Sequence, residues 1–218
     1  MNLIPVADPE EGAHELNELL SRLFKAFHKE RLDKDDTEIF IPAGNTPIQL
    51  YRLWEKERPF YLMDRTLLQI DEVIRDSKEG LFENFFKKHL PSYFNQIQTL
   101  NQKSLGLRLH ENPKTRIAIL GLGLNGHVAF HEPFIKRPFY FACVNLSKET
   151  ARNLDCDEGA WGISYGVDAF LGCAEVFLLV YGSSKKEVLR RFLEKDHALP
   201  ATALWEHSRV NLITDQKL

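Results

Sequence analysis

The chain has 218 residues, 44% hydrophobic and 27% charged, which is ordinary for a soluble globular protein and enough to bury a sizeable core in one domain, residues 1–218. A formal net charge of −3 provides no broad positive field for nucleic acid or an anionic membrane surface, so an anionic ligand would be held by a few local cations and backbone amides. Cys143, Cys156 and Cys173 are an odd number without CxxC spacing, which argues against a disulfide framework or a structural zinc site. With no basic-then-apolar leader and no apolar run long enough to span a membrane, the reading is cytoplasmic.

In chain order, residues 10–31 carry Leu16, Leu19, Leu20, Leu23, Phe24 and Phe27 at helical spacing behind a start at Asp8-Pro9. Residues 37–42 (TEIFIP) read as a short buried strand. The turn Ala43-Gly44-Asn45-Thr46-Pro47 follows, with Pro47 in the first turn of a helix through Leu50, Leu53 and Trp54. A second strand at 66–70 delivers Asp71-Glu72 at its end, and a helix follows at about 81–89. Residues 116–120 (RIAIL) are a third strand ending in a glycine segment, and 139–144 a fourth. Residues 175–181 (EVFLLVY) make the clearest strand, leading through Gly182-Ser183-Ser184 into a helix over 185–193, and 209–214 is the last strand.

Strands alternating with helices predict an α/β fold, a three-layer sandwich with a mostly parallel sheet covered on both faces. Ligands in such sheets bind beyond the carboxyl ends of the strands. Polar clusters at 44–46, 71–72, 121–132 and 182–185 all fall at such ends and would share one rim. The 44–46 and 182–185 turns suit an anion at a helix N-terminus, or are plain turns and caps. Asp71-Glu72 is a helix cap, a solvated pair, or a source of a proton-transfer base.

Residues 121–126 fit the dinucleotide pattern G-x-G-x-x-G, but that pattern needs a helix directly after it, and Pro133 and Pro138 leave room for only a turn or two. A nicotinamide cofactor is therefore not expected. The same segment sets His127 near Glu132, a carboxylate able to fix the ring's tautomer, unless the histidine is simply structural. His127, His131 and Glu132 lack the HExxH spacing of a metal site, and no metal is expected.

Residues 121–133 (GLGLNGHVAFHEP) resemble the signature G-x-G-x-D-G-H-x-A-F-N-E-P of the glucosamine-6-phosphate deaminase/6-phosphogluconolactonase family. Residues 43–47 resemble its phosphate loop, Ile70-Asp71-Glu72 its Asp-Glu strand end, Gly182-Ser183-Ser184-Lys185 its G-S-x-K turn, and Pro200-Ala201-Thr202-Ala203-Leu204 its late P-A-S-x-L stretch. The order and spacing agree from about Ile39 to Thr214.

The resemblance implies a Rossmann-like sheet and an enzyme acting on a small-molecule sugar 6-phosphate without cofactor, its oligomeric state left open. It implies that Gly44, Asn45, Thr46 and Lys185 hold the phosphate, with Arg152 a further candidate. Asp71 would move a proton between C1 and C2 of the opened sugar. His127 would assist ring opening, Glu132 would orient it, and Asn125 stands where the family usually has Asp. Lactonases of the family typically continue from Gly-His into Ser-Leu-Phe-Pro and carry Arg after Asp-Glu. Here Ala129-Phe130-His131-Glu132-Pro133 and Val73 resemble the deaminase/isomerase branch.

The expected activity is thus conversion of glucosamine- or galactosamine-6-phosphate to a ketose 6-phosphate and ammonia. The alternatives are a 6-phosphogluconolactonase or a catalytically weakened sugar-phosphate sensor. Asn125 in place of Asp is expected to lower the pKa of His127 relative to an Asp version, although some galactosamine-6-phosphate isomerases also resemble this chain there. His131 replaces the usual Asn, and residues 133–153 are short against the family's basic lid.

Overall fold

A computed structural model describes residues 1–29, 37–106 and 115–217. The elements run β1 (Asn2–Pro5), α1 (Pro9–Lys29), β2 (Thr37–Ile41), α2 (Ile48–Glu57), β3 (Thr66–Gln69), β4 (Asp71–Ile74), α3 (Leu81–His89) and β5 (Ile97–Gln98). They continue with β6 (Thr115–Gly121), β7 (Phe141–Asn145), α4 (Lys148–Asn153), β8 (Trp161–Tyr165), α5 (Val167–Leu171), β9 (Glu175–Val180), α6 (Lys186–Leu193) and β10 (Val210–Thr214). None of the described helices is long and apolar enough to cross a membrane.

α1 starts where the Asp8 carboxylate accepts the N–H groups of Glu10 and Glu11 at 2.8 and 2.9 Å. Its buried stripe is Leu16, Leu20, Phe24 and Phe27; the tail of the expected helix, at 30–31, lies outside the described residues.

Seven strands form one sheet in the order β1-β10-β9-β6-β2-β3-β5, and every neighbouring pair is parallel. Side chains alternate across it. Ile39, Ile41, Ile117 and Ile119 pack with α1, α2 and α3 through Leu20, Trp54 and Phe86. Phe40, Ala118, Leu120, Val176 and Leu178 face the other way, against Phe170 of α5 and Leu189 and Phe192 of α6. Two covered faces explain why these strands read as unbroken apolar runs.

The chain leaves β2 toward β3 and β5, then returns to place β6 on the opposite side of β2. That reversal opens a crevice above the carboxyl ends of β2 and β6, which is where the loops at 42–46 and 121–127 emerge.

A second, antiparallel sheet, β4-β8-β7, corrects two expectations. Asp71-Glu72 does not end the second strand but begins β4, and residues 139–144 do not join the main sheet but contribute β7 here. The break falls at Ile70. There the buried Gln69 side chain donates to the Asp71 carbonyl at 2.7 Å and to Glu72 Oε2 at 2.9 Å, and accepts from the Leu100 N–H at 3.0 Å. These bonds satisfy polar groups that would otherwise be stranded where the chain changes sheets.

Candidate active site

The first wall of the crevice is the loop after β2. Gly44 takes φ +95°, a conformation that favours glycine, and the Tyr51 hydroxyl anchors the preceding turn by donating to the Pro42 carbonyl at 2.6 Å. α2 then starts behind Pro47 with no side-chain cap. A Cβ placed on Gly121 would lie 3.5 Å from Thr46 Oγ1, so the loops from β2 and β6 meet closely.

Asp71 and Glu72 are adjacent and both buried, yet they do different work. Glu72 is 1% exposed; its two oxygens accept from the N–H groups of Val73, Phe82 and Glu83 at 2.8, 2.9 and 2.7 Å, in addition to Gln69. It therefore caps α3 from a neighbouring element, the bland reading of an acidic pair. Burial raises its pKa and these donors oppose the rise. Asp71 instead lines the cavity, and burial, with Glu72 beside it, pushes its carboxyl up to about 8.

The segment after β6 is a compact turn, with Gly123 N–H donating to the His127 carbonyl at 2.8 Å and Gly126 N–H to the Gly123 carbonyl at 3.0 Å. The His127 ring lies so close to Gly123 that a Cβ there would sit 2.4 Å from Nε2. Gly126 takes φ +85° beneath Leu199, and its carbonyl accepts from Ala201 N–H at 3.1 Å. The P-A-T-A-L stretch thus packs against the glycine segment and braces it.

Glu132 is fully buried, and its Oε2 lies 3.7 Å from His127 Nδ1, an atom with no hydrogen-bond partner. Asn125 does not touch the ring. Its amide oxygen accepts the His127 backbone N–H at 3.1 Å and its amide nitrogen donates to Glu132 Oε2 at 3.0 Å. Burial lowers the His127 pKa; Glu132 opposes that shift, Lys185 adds to it, and Glu149 also opposes it. His131 is turned away: its Nδ1 accepts from Val167 N–H at 3.3 Å and its ring lies 4.7 Å from that of Phe139.

Lys185 reaches the cavity and donates from Nζ to the Leu122 carbonyl at 2.6 Å, with burial lowering its pKa. The rest of its turn is differently placed from the anion site suggested by its sequence. Gly182 N–H already donates to both carboxylate oxygens of Asp215 at 3.0 Å, and Ser183 and Ser184 do not line the cavity.

The cavity has a volume of about 260 Å³. It brings together Gly44, Asn45, Thr46, Asp71, His127 and Lys185, while Asn125 and Glu132 stand behind His127. Arg152 lies on the exposed side of α4 and does not line the cavity; its neighbour Asn153 does. Phe130, part of the signature stretch, also lines it, as do Phe82, Thr150 and Leu154, which were not singled out from sequence. Their one local signal is Ser147-Lys148-Glu149-Thr150, a capping pattern in which Ser147 Oγ accepts the Thr150 N–H at 3.0 Å.

No family model matches the chain. It is 28% identical to a glucosamine-6-phosphate deaminase of Latilactobacillus sakei and 26% identical to one of Leuconostoc citreum. Each alignment covers 99% of this chain and 97% of the relative. Among solved structures it superimposes on a monomeric glucosamine-6-phosphate deaminase with a TM-score of 0.69 at 24% identity, covering 99% of this chain and 98% of that one. A 6-phosphogluconolactonase from Leishmania guyanensis gives a TM-score of 0.75 at 14% identity, covering 98% and 95%, a likeness of fold alone. The chain is thus similar along its whole length to glucosamine-6-phosphate deaminases, and it shares with them and with 6-phosphogluconolactonases a fold whose sheet reverses at the crevice.

Proposed function

We propose that the chain is an amino-sugar 6-phosphate deaminase/isomerase, converting glucosamine- or galactosamine-6-phosphate and water to a ketose 6-phosphate and ammonia. The observation that carries this reading is a buried carboxyl, Asp71, with its pKa pushed up to about 8, facing the same cavity as His127 and an anion-suited loop. A lactone hydrolase has no need of a second proton carrier at that place. The deaminase names of the sequence relatives support the same branch.

In this reading the phosphate sits against the 44–46 loop with the Lys185 cation beside it. His127, kept neutral by burial, takes the proton of the C1 hydroxyl and returns it to the ring oxygen as the sugar opens. Ionised Asp71 removes the C2 proton and delivers it to C1, while one proton leaves the amino nitrogen and one is taken up by the C1 oxygen, which turns the 2-amino aldehyde into a 2-imino 1-alcohol. Water then adds at C2, and ammonia leaves to give the ketose. No step calls for a metal or organic cofactor.

The test is a panel of 6-phosphosugars assayed in parallel for ammonia release, ketose formation and lactone hydrolysis. Ammonia and ketose in equal amounts from a hexosamine 6-phosphate is the expected result. Lactone hydrolysis that survives Asp71→Asn but not His127→Ala would assign the chain to the lactonase branch instead. Phosphosugar binding by calorimetry without turnover would make it a sensor.

A further inference from the structure

The Glu132 carboxylate is held asymmetrically. Oε2 accepts from Asn125 and faces His127 Nδ1, whereas Oε1 is taken by two hydroxyls from the start of α4. Ser147 Oγ donates to Oε1 at 3.0 Å, and Thr150 Oγ1 donates to the same oxygen in a short contact. Ser147 Oγ lies 3.1 Å from Thr150 Oγ1, and with both protons given to Oε1 the Ser147 hydroxyl oxygen accepts the Thr150 backbone N–H at 3.0 Å. With Glu132 fully buried, water cannot substitute for a donor that is lost.

We propose that Ser147 and Thr150 are positioning residues that, by clamping Oε1 of Glu132, aim Oε2 at Nδ1 of His127 and so fix the ring as its Nδ1–H tautomer. This rests on the reading of His127 as the acid–base group of the site. An imidazole free in water prefers the opposite tautomer, so the clamp has a definite effect to exert. Nδ1 is enclosed and has no hydrogen-bond partner among the described residues, with Oε2 at 3.7 Å as the acceptor aimed at it, while the ring itself lines the cavity. With the proton on Nδ1, Nε2 is the base available to a ligand. The other charged groups acting on the ring are Lys185 and Glu149, and neither belongs to the clamp. α4 also lines the cavity with Thr150 and Asn153, so the wall that meets the ligand is the element that sets the base.

The experiment is ¹⁵N NMR of the His127 ring in the ligand-free protein, which reads the tautomer whether or not the chain turns over any sugar. The parent and Thr150→Ser should show protonated Nδ1 and unprotonated Nε2. Thr150→Val and Ser147→Ala should shift the ring toward the Nε2–H form. In the activity assay Thr150→Val should reduce kcat by about tenfold or more, with Thr150→Ser close to the parent. An Nε2–H ring in the parent, or a tautomer unchanged in both Thr150→Val and Ser147→Ala, would overturn the proposal. Should Thr150→Val not fold, Ser147→Ala and the parent spectrum decide it. Failure of all hexosamine turnover with the Nδ1–H pattern intact would count against the deaminase reading and leave the clamp standing.

Discussion

Asp71 carries a consequence for stability that is independent of substrate. Its pKa rises from the model-peptide value of 3.8 to about 8, chiefly through burial, so the folded state binds a proton that the unfolded state has released. The contribution is fully present below pH 4 and is lost as pH rises toward 8. Asp71→Asn is neutral throughout, so its stability should gain on the parent by roughly 1 kcal/mol per pH unit across that interval, measured by urea unfolding at several pH values. A second residue-scale prediction concerns Asn125, which the family resemblance frames as a lost support for His127. Its side chain actually bridges the His127 backbone and Glu132 Oε2, the latter at 3.0 Å. An aspartate in the same place sets two carboxylates against each other in a buried site, and both cannot ionise without penalty. Asn125→Asp should destabilise the protein by about 1–3 kcal/mol at pH 8 and by less at pH 5, where one carboxyl can take up a proton.

At the scale of elements, α3 depends on an acid outside its own sequence. Glu72 receives the N–H groups of Phe82 and Glu83, while the residue preceding the helix, Gly80, offers no side chain. Glu72→Gln must turn an NH₂ toward one pair of these donors, and should cost about 1–3 kcal/mol in unfolding, with faster hydrogen exchange at Phe82 and Glu83 than elsewhere in α3. This cap also explains part of what sequence could and could not reveal. Helices α1, α2, α3 and α6 and the buried parallel strands were legible because their apolar periods of 3.6 and the unbroken runs of β2, β6 and β9 report burial directly, whereas α4 and α5, of six and five residues, are too short to show a period. The strands β4 and β8 were not, and β7, expected at 139–144, was legible as a strand but not in the sheet it joins. β4 and β8 are short, β8 begins at the half-exposed Trp161 and contains Gly162, and β4 pairs with β8 across about 90 positions, as in Asp71 with Ser164. β1 and β5, the edge strands of the main sheet, are also short, with four and two residues.

For the molecule as a whole, the crevice follows from the order of the strands. β2 and β6 are neighbours in the sheet but are separated in the chain by the excursion through β3 and β5, so their loops diverge and leave a gap between them. Most of the expected site falls into that gap: the 44–46 loop, Asp71, His127 and Lys185. Arg152 does not: Arg152 and Asn153 are both exposed on α4 but only Asn153 borders the cavity, a distinction that a six-residue helix cannot express as a sequence pattern. The Ser147 and Thr150 hydroxyls were equally invisible, since their partner Glu132 is fixed only by the fold. The central claim is that Asp71 works as a proton carrier in hexosamine 6-phosphate deamination. The most direct test is steady-state ammonia release from glucosamine- and galactosamine-6-phosphate by the parent and by Asp71→Asn at pH 8. The parent should release ammonia from at least one of the two sugars, and Asp71→Asn should lose about 10³-fold in kcat while still binding the sugar phosphate. No ammonia from either sugar with the parent, or undiminished release by Asp71→Asn, would contradict the account.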